Sequence, residues 1–175
     1  MNVDEIEPQI AEPATLSLDD RRKLSFLVEE FNCLYAEALD EGRIADWPGF
    51  FTEDAVYKLL ARDNAEAGLP LSLMYCAGKG MLKDRAYAIE YTEMFAPRYT
   101  KHQISNTRVL GREGDIVTAR SNYSIFETLV DEPTEILQVG TYHDRFVIEG
   151  DRLLLKERCA LYDTVCVPIC VVFPP

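Results

Sequence analysis

Two histidines, His102 in TKHQISN and His143 in GTYHDRF, and five cysteines, Cys33, Cys76, Cys159, Cys166 and Cys170, are the soft donors and nucleophiles of this chain. A facial iron triad would use both histidines, and a Rieske cluster needs two histidines and two cysteines of its own, so the chain cannot hold both centres. The cysteines form no CxxC pair. Cys166 and Cys170, four apart in VCVPICVVF, share a face if that segment is extended, which leaves a zinc or redox pair open. No nearby histidine or cysteine completes four ligands, and free buried thiols are the plainer reading.

Proton transfer is the other chemistry on offer. His102 opens a strand pattern and His143 sits within one, so either can act as a general base if it faces an open pocket beside an acid or a tyrosine. The plainer reading for both is a hydrogen-bonded or surface histidine. Strand alternation puts His143 on the face opposite Tyr142 and Asp144, and sends Asp144 and Arg145 to opposite faces, so those two are not a pair. Tyr35, Asp40, Asp46 and Trp47 can line the mouth of a pocket, or form a core-edge aromatic cluster with surface acids. In Lys83-Asp84-Arg85, Asp84 falls in the first turn of a predicted helix, where the macrodipole explains it. The sequence contains no G-x-S-x-G, P-loop, G-x-G-x-x-G or H-E-x-x-H.

The elements that must position these groups are readable from periodicity. Residues 1–16 are acidic and proline-broken, an expected solvated arm ahead of a single domain over 17–175. Ser17 precedes Asp19 and Asp20 as an N-cap, and Leu24, Leu27, Val28, Phe31, Leu34, Tyr35 and Ala38 follow at helical spacing to Gly42. A short helix over 45–51 holds Pro48, a strand is expected over 55–61, and 62–80 reads as a long irregular connection. A third helix is expected over 82–95, with Ala88, Tyr91 and Phe95 on one stripe. After Pro97 the texture alternates in four segments, 99–111, 115–130, 134–149 and 152–165, joined by turns at Gly111–Asp115, Asp131–Pro133 and Glu149–Asp151. Helices first and a strand meander after them predict an α+β fold, a curved antiparallel sheet with three helices on its concave face.

Composition excludes several roles. The 175 residues carry 18 Lys and Arg against 30 Asp and Glu, a net charge of −12, which disfavours nucleic acid and anionic membrane partners. No apolar run nears the roughly 20 residues of a membrane span. The N-terminal MNVDEIEPQ lacks a basic stretch followed by an apolar one, and the expectation is a cytoplasmic protein.

Taken in order, EALDEGRIADWPGFFTEDAVY, MLKDR, KHQISNTRV, ARSNY, GTYHDRF and LLLKERCALYDT resemble the small (beta) subunits of aromatic-ring-hydroxylating, Rieske-type dioxygenases. The resemblance covers residues 20–165, and the stretch from Asn64 to Arg85 is similar to small subunits of oxygenases for aromatic acids. The Cys-rich tail VCVPICVVFPP departs from the common pattern. The resemblance implies a cone of the nuclear-transport-factor or ketosteroid-isomerase type. It also implies a partner large (alpha) subunit that carries the Rieske two-iron two-sulfur cluster and the mononuclear iron, in a three-plus-three hexamer where small subunits also touch one another. On that footing no residue here is catalytic, cofactor-binding or metal-binding. The alternative is a free-standing cone-fold dehydratase or isomerase using His102 in a metal-free pocket; a ligand-binding cone without chemistry is a third reading. Elemental analysis of the purified chain is expected to find neither iron nor zinc at stoichiometry, and one tightly held metal per chain would contradict the resemblance.

Overall fold

The computed structural model describes residues 16–92, 95–164, 166 and 171–175. The expected acidic arm lies outside this set but for Leu16, and Cys170, with any pairing to Cys166, lies outside it too. Helix α1 (Leu18–Asp40) begins where Ser17 Oγ accepts from the Asp20 amide at 3.1 Å. It ends in a Schellman turn: Gly42, at φ +71°, donates to the Leu39 carbonyl, and Arg43 donates to that of Ala38. The glycine is needed there because a side chain resists that backbone angle. The turn feeds a 3₁₀ helix (Ile44–Phe50) containing Pro48, which brings Trp47 into the core.

Strand β1 (Phe51–Ala61) starts four residues before the sequence pattern suggests. The predicted irregular connection after it is instead a five-residue helix α2 (Arg62–Glu66) and a strand β2 (Ser72–Ala77). Glycine and proline at 68 and 70 mark only the turn between them. Helix α3 (Lys79–Tyr91) starts three residues earlier than expected, so Asp84 lies in its second turn and its charge is not a first-turn cap. Its buried stripe is Leu82, Ala86 and Ile89, while Tyr91 is exposed and packs on Tyr87 along the outer side.

Strands β3 (Arg98–Glu113), β4 (Ile116–Leu129), β5 (Glu135–Glu149) and β6 (Arg152–Tyr162) follow as the predicted meander. The sheet order is β2-β1-β6-β5-β4-β3, antiparallel at every seam except β1–β6, which is parallel. One face carries the core, with α1, the 3₁₀ helix and α3 packed on it, as the α+β reading expects. The inward stripe of β4, Val117, Ala119, Ser121, Tyr123 and Ile125, shows the alternation of a sheet covered on one side.

Alternation breaks once with consequences. Between Leu155 and Glu157 the pairing of β6 slips against β5, whose Phe146 and Arg145 are adjacent, so Lys156 is an extra residue. A bulge of this kind reverses phase: Leu153 and Leu155 face inward before it, and Arg158, Ala160 and Tyr162 after it. At Gly140 of β5, an added Cβ would stand 2.2 Å from the Leu161 carbonyl oxygen and 2.8 Å from the Tyr123 hydroxyl. Gly140→Ala is therefore expected to destabilise the fold by about 1–3 kcal/mol through overpacking, measured as a lower urea midpoint.

Candidate functional site

The bulge places a guanidinium inside the cone. Arg158 is fully buried and grips Asp144 on β5 with two hydrogen bonds, Nε to Oδ1 at 2.9 Å and Nη2 to Oδ2 at 2.8 Å. Nη2 also donates to Asn32 Oδ1 on α1 at 2.9 Å. Asn32 Nδ2 donates to Ser121 Oγ on β4 at 3.2 Å, and Ser121 Oγ lies 3.1 Å from Thr107 Oγ1 on β3. One polar chain thus joins α1 to four strands. Burial opposes the charge on Arg158, but the attraction and hydrogen bonds of Asp144 outweigh it and hold the guanidinium protonated, above its ordinary pKa.

Aromatic rings surround that pair. The Arg158 guanidinium carbon sits 4.3 Å from the Tyr35 ring centre and 4.0 Å from that of Tyr142, within cation–π range. Trp47 meets Phe51 and Tyr57 edge-to-face at 5.4 and 5.3 Å, and its Nε1 donates to the Tyr35 hydroxyl at 2.9 Å. Tyr123 stacks on Tyr142 at 4.3 Å and donates to Gln138 Oε1. Burial lifts the phenols of Tyr35, Tyr57, Tyr123 and Tyr142 above their usual range, so they remain neutral donors. Segment 171–175 reaches this chamber: the Pro175 carbonyl accepts from Tyr57 at 2.9 Å and Tyr35 at 3.2 Å.

A second cluster stands at the sheet margin. Asp40, in the last turn of α1, receives His102 Nδ1 at 2.6 Å and the His102 amide at 3.0 Å. Both side chains are buried, 2% exposed for His102 and 8% for Asp40, and Lys101 Nζ lies 3.7 Å from the same carboxylate. His102 Nε2 is buried without a hydrogen-bond partner among the described residues.

A sequence model of ring-hydroxylating beta subunits matches residues 35–168, which takes in every member of these clusters except Asn32 and Pro175. The chain belongs to that family. It is 28% identical over 148 residues to the small subunit of anthranilate 1,2-dioxygenase from Burkholderia cepacia, covering 85% of this chain and 92% of that one. A solved structure described as the beta subunit of an aromatic-ring-hydroxylating dioxygenase from Novosphingobium aromaticivorans matches at TM-score 0.78 and 36% identity, over 83% of this chain and 92% of that chain. A scytalone-dehydratase-like structure from the same organism matches at TM-score 0.65 and 19% identity, covering 84% of this chain and 89% of that one, and shows a shared fold.

Within this beta subunit, the residues suggested by spacing fall into separate places. Tyr35 joins Trp47, and Asp40 joins His102, whereas Asp46 pairs with Arg43 at the surface. His143 faces away from Tyr142 and Asp144, half-buried, as alternation requires. Lys83 and Asp84 are exposed, and Arg85 donates to the carbonyls of Val171 and Val172. Cys33 and Cys166 are exposed, while Cys76 and Cys159 are buried; burial raises both thiols, that of Cys159 to about 11. Among the described residues no three His, Cys, Asp or Glu side chains gather as a metal site. His102 is held by Asp40 and His143 faces away from Tyr142 and Asp144, so the two histidines do not come together as ligands of one centre.

Sequence reasoning missed Asn32, Asp144 and Arg158 as partners. The available signal was an Asp on the same strand face as Tyr142 and Phe146, and an Asn on the apolar stripe of α1. Asp144→Asn leaves the Arg158 charge buried and unbalanced. A loss of about 3–5 kcal/mol in denaturant unfolding is expected.

Proposed function

We propose that this beta subunit is a non-catalytic scaffold in an oxygenase for an aromatic acid, assembled as three small and three large chains in the cytoplasm. The large subunits would carry the Rieske cluster and the mononuclear iron. The observation that carries the reading is the state of His102. A general base must reach its substrate's proton, and with Nδ1 held by Asp40 the nitrogen left for that task, His102 Nε2, is buried.

Two further facts support assembly. Leu71 just before β2, and Leu73 and Tyr75 on it, are exposed at 72%, 55% and 51%, at the edge of the sheet, where apolar side chains and unpaired backbone suit a partner. The name of the Burkholderia relative points to an aromatic acid as the substrate of the whole complex. No helix among the described residues is long and apolar enough to cross a membrane.

The Asp40–His102 pair is also the one feature favouring a cone-fold dehydratase or isomerase. A single experiment separates the two. Large and small subunits are co-expressed and hydroxylation of an aromatic acid is normalised to complex formed. His102→Gln is expected to leave turnover within a few-fold, with any loss following reduced assembly. A drop on the order of 100-fold with assembly intact, the usual worth of a general base, would overturn the scaffold reading.

A further inference from the structure

The chamber around Arg158 holds more donors than its own side chains satisfy. Arg158 Nη1 and the Tyr142 hydroxyl are both buried with no hydrogen-bond partner among the described residues. Native interiors rarely leave such groups unpaired without a reason. Two more donors, the hydroxyls of Tyr35 and Tyr57, converge on one oxygen, the Pro175 carbonyl. The carbonyl comes from segment 171–175, which belongs to no strand or helix.

That segment is held in the manner of a bound peptide. Arg85 Nη2 donates to the carbonyls of Val171 at 3.1 Å and Val172 at 2.7 Å, and Phe173 meets Phe95 edge-to-face at 5.2 Å. Val172, Pro174 and Pro175 are buried. At the inner end, the Pro175 oxygen takes the place a ligand's oxygen would take between two phenols. The walls there, Trp47, Phe51 and Tyr57, meet one another edge-to-face and present flat apolar surfaces. Asp144 neutralises Arg158, so the chamber offers an excess of donors without a large net charge. An acceptor-rich, planar, apolar-bodied molecule satisfies these conditions together: a small aromatic carboxylate.

We propose that the interior of the cone is a binding site for a small aromatic carboxylate, and that segment Val171–Pro175 is a tethered competitor that fills it until displaced. This role goes beyond scaffolding: the site binds a ligand without transforming it. With the segment in place, only the fraction of chains that have released it can bind, so apparent affinity falls by that fraction.

The chain's single tryptophan reports on the site, because Trp47 donates to the same Tyr35 hydroxyl that holds Pro175. Benzoate is titrated against the full chain, against Arg85→Gln, which loosens the segment without altering the chamber, and against a chain lacking 171–175, with Trp47 fluorescence as the readout and circular dichroism as the check on folding. Both altered chains are expected to bind benzoate saturably and about tenfold or more tighter than the full chain. Tyr57→Phe, added to Arg85→Gln, is expected to remove most of that gain. Equal affinity in the full and Arg85→Gln chains would overturn the proposal, and so would toluene binding as tightly as benzoate. If the shortened chain does not fold, the Arg85→Gln comparison alone decides between these outcomes.

Discussion

The fold turns on a charge that has no route to water. Arg158 and Asp144 face each other across β5 and β6, fully buried, and the guanidinium reaches on to Asn32 of α1. A buried ion pair contributes little net stability against apolar residues of the same volume, but losing one partner is severe. Its value here is positional. A one-residue slip in either strand would turn Asp144 or Arg158 to the outer face and strand its partner. The continuation through Asn32, Ser121 and Thr107 extends the same constraint to α1, β4 and β3. The network selects one register of the sheet and one seating of the helix above it.

At the margin, Asp40 and His102 do a similar task on a smaller scale. β3 is an edge strand of sixteen residues, and α1 lies over it. Asp40 fastens the end of the helix to the His102 amide and imidazole, giving the buried end of α1 a fixed landing point. The same two residue types can serve proton transfer in a pocket open to substrate.

Much of this was legible in the chain. Ser17, Gly42 and the stripe from Leu24 to Ala38 marked α1 to within a residue, although Leu34 of that stripe proved exposed. Period-two alternation with glycine turns marked the meander. Strand β2 was hidden because Leu69, Pro70 and Leu71 precede it without a clear alternation, and its outer side chains are apolar where a solvated strand would be polar. Helix α3 was shifted because Gly78 and Gly80 read as loop, while Gly78 only bends the chain at φ +83° before the helix begins. The inner ion pair was hidden by the extra residue at Lys156, since strict alternation cannot show which phase follows a bulge. Asp144 was visible on the inward face; its partner was not.

The parallel seam between β1 and β6 has a consequence for how the molecule comes into being. The meander from β3 to β6 forms by neighbouring hairpins, which close short loops, whereas β1 must wait for a strand about a hundred residues further along the chain. Long-range pairing of this kind is slow relative to local contacts. During synthesis, the apolar face of α1 and the Trp47–Phe51 cluster therefore leave the ribosome well before the sheet that covers them. Until β6 arrives, that aromatic surface is exposed to any other nascent or unfolded chain. The vulnerable moment of this subunit falls before its cone closes.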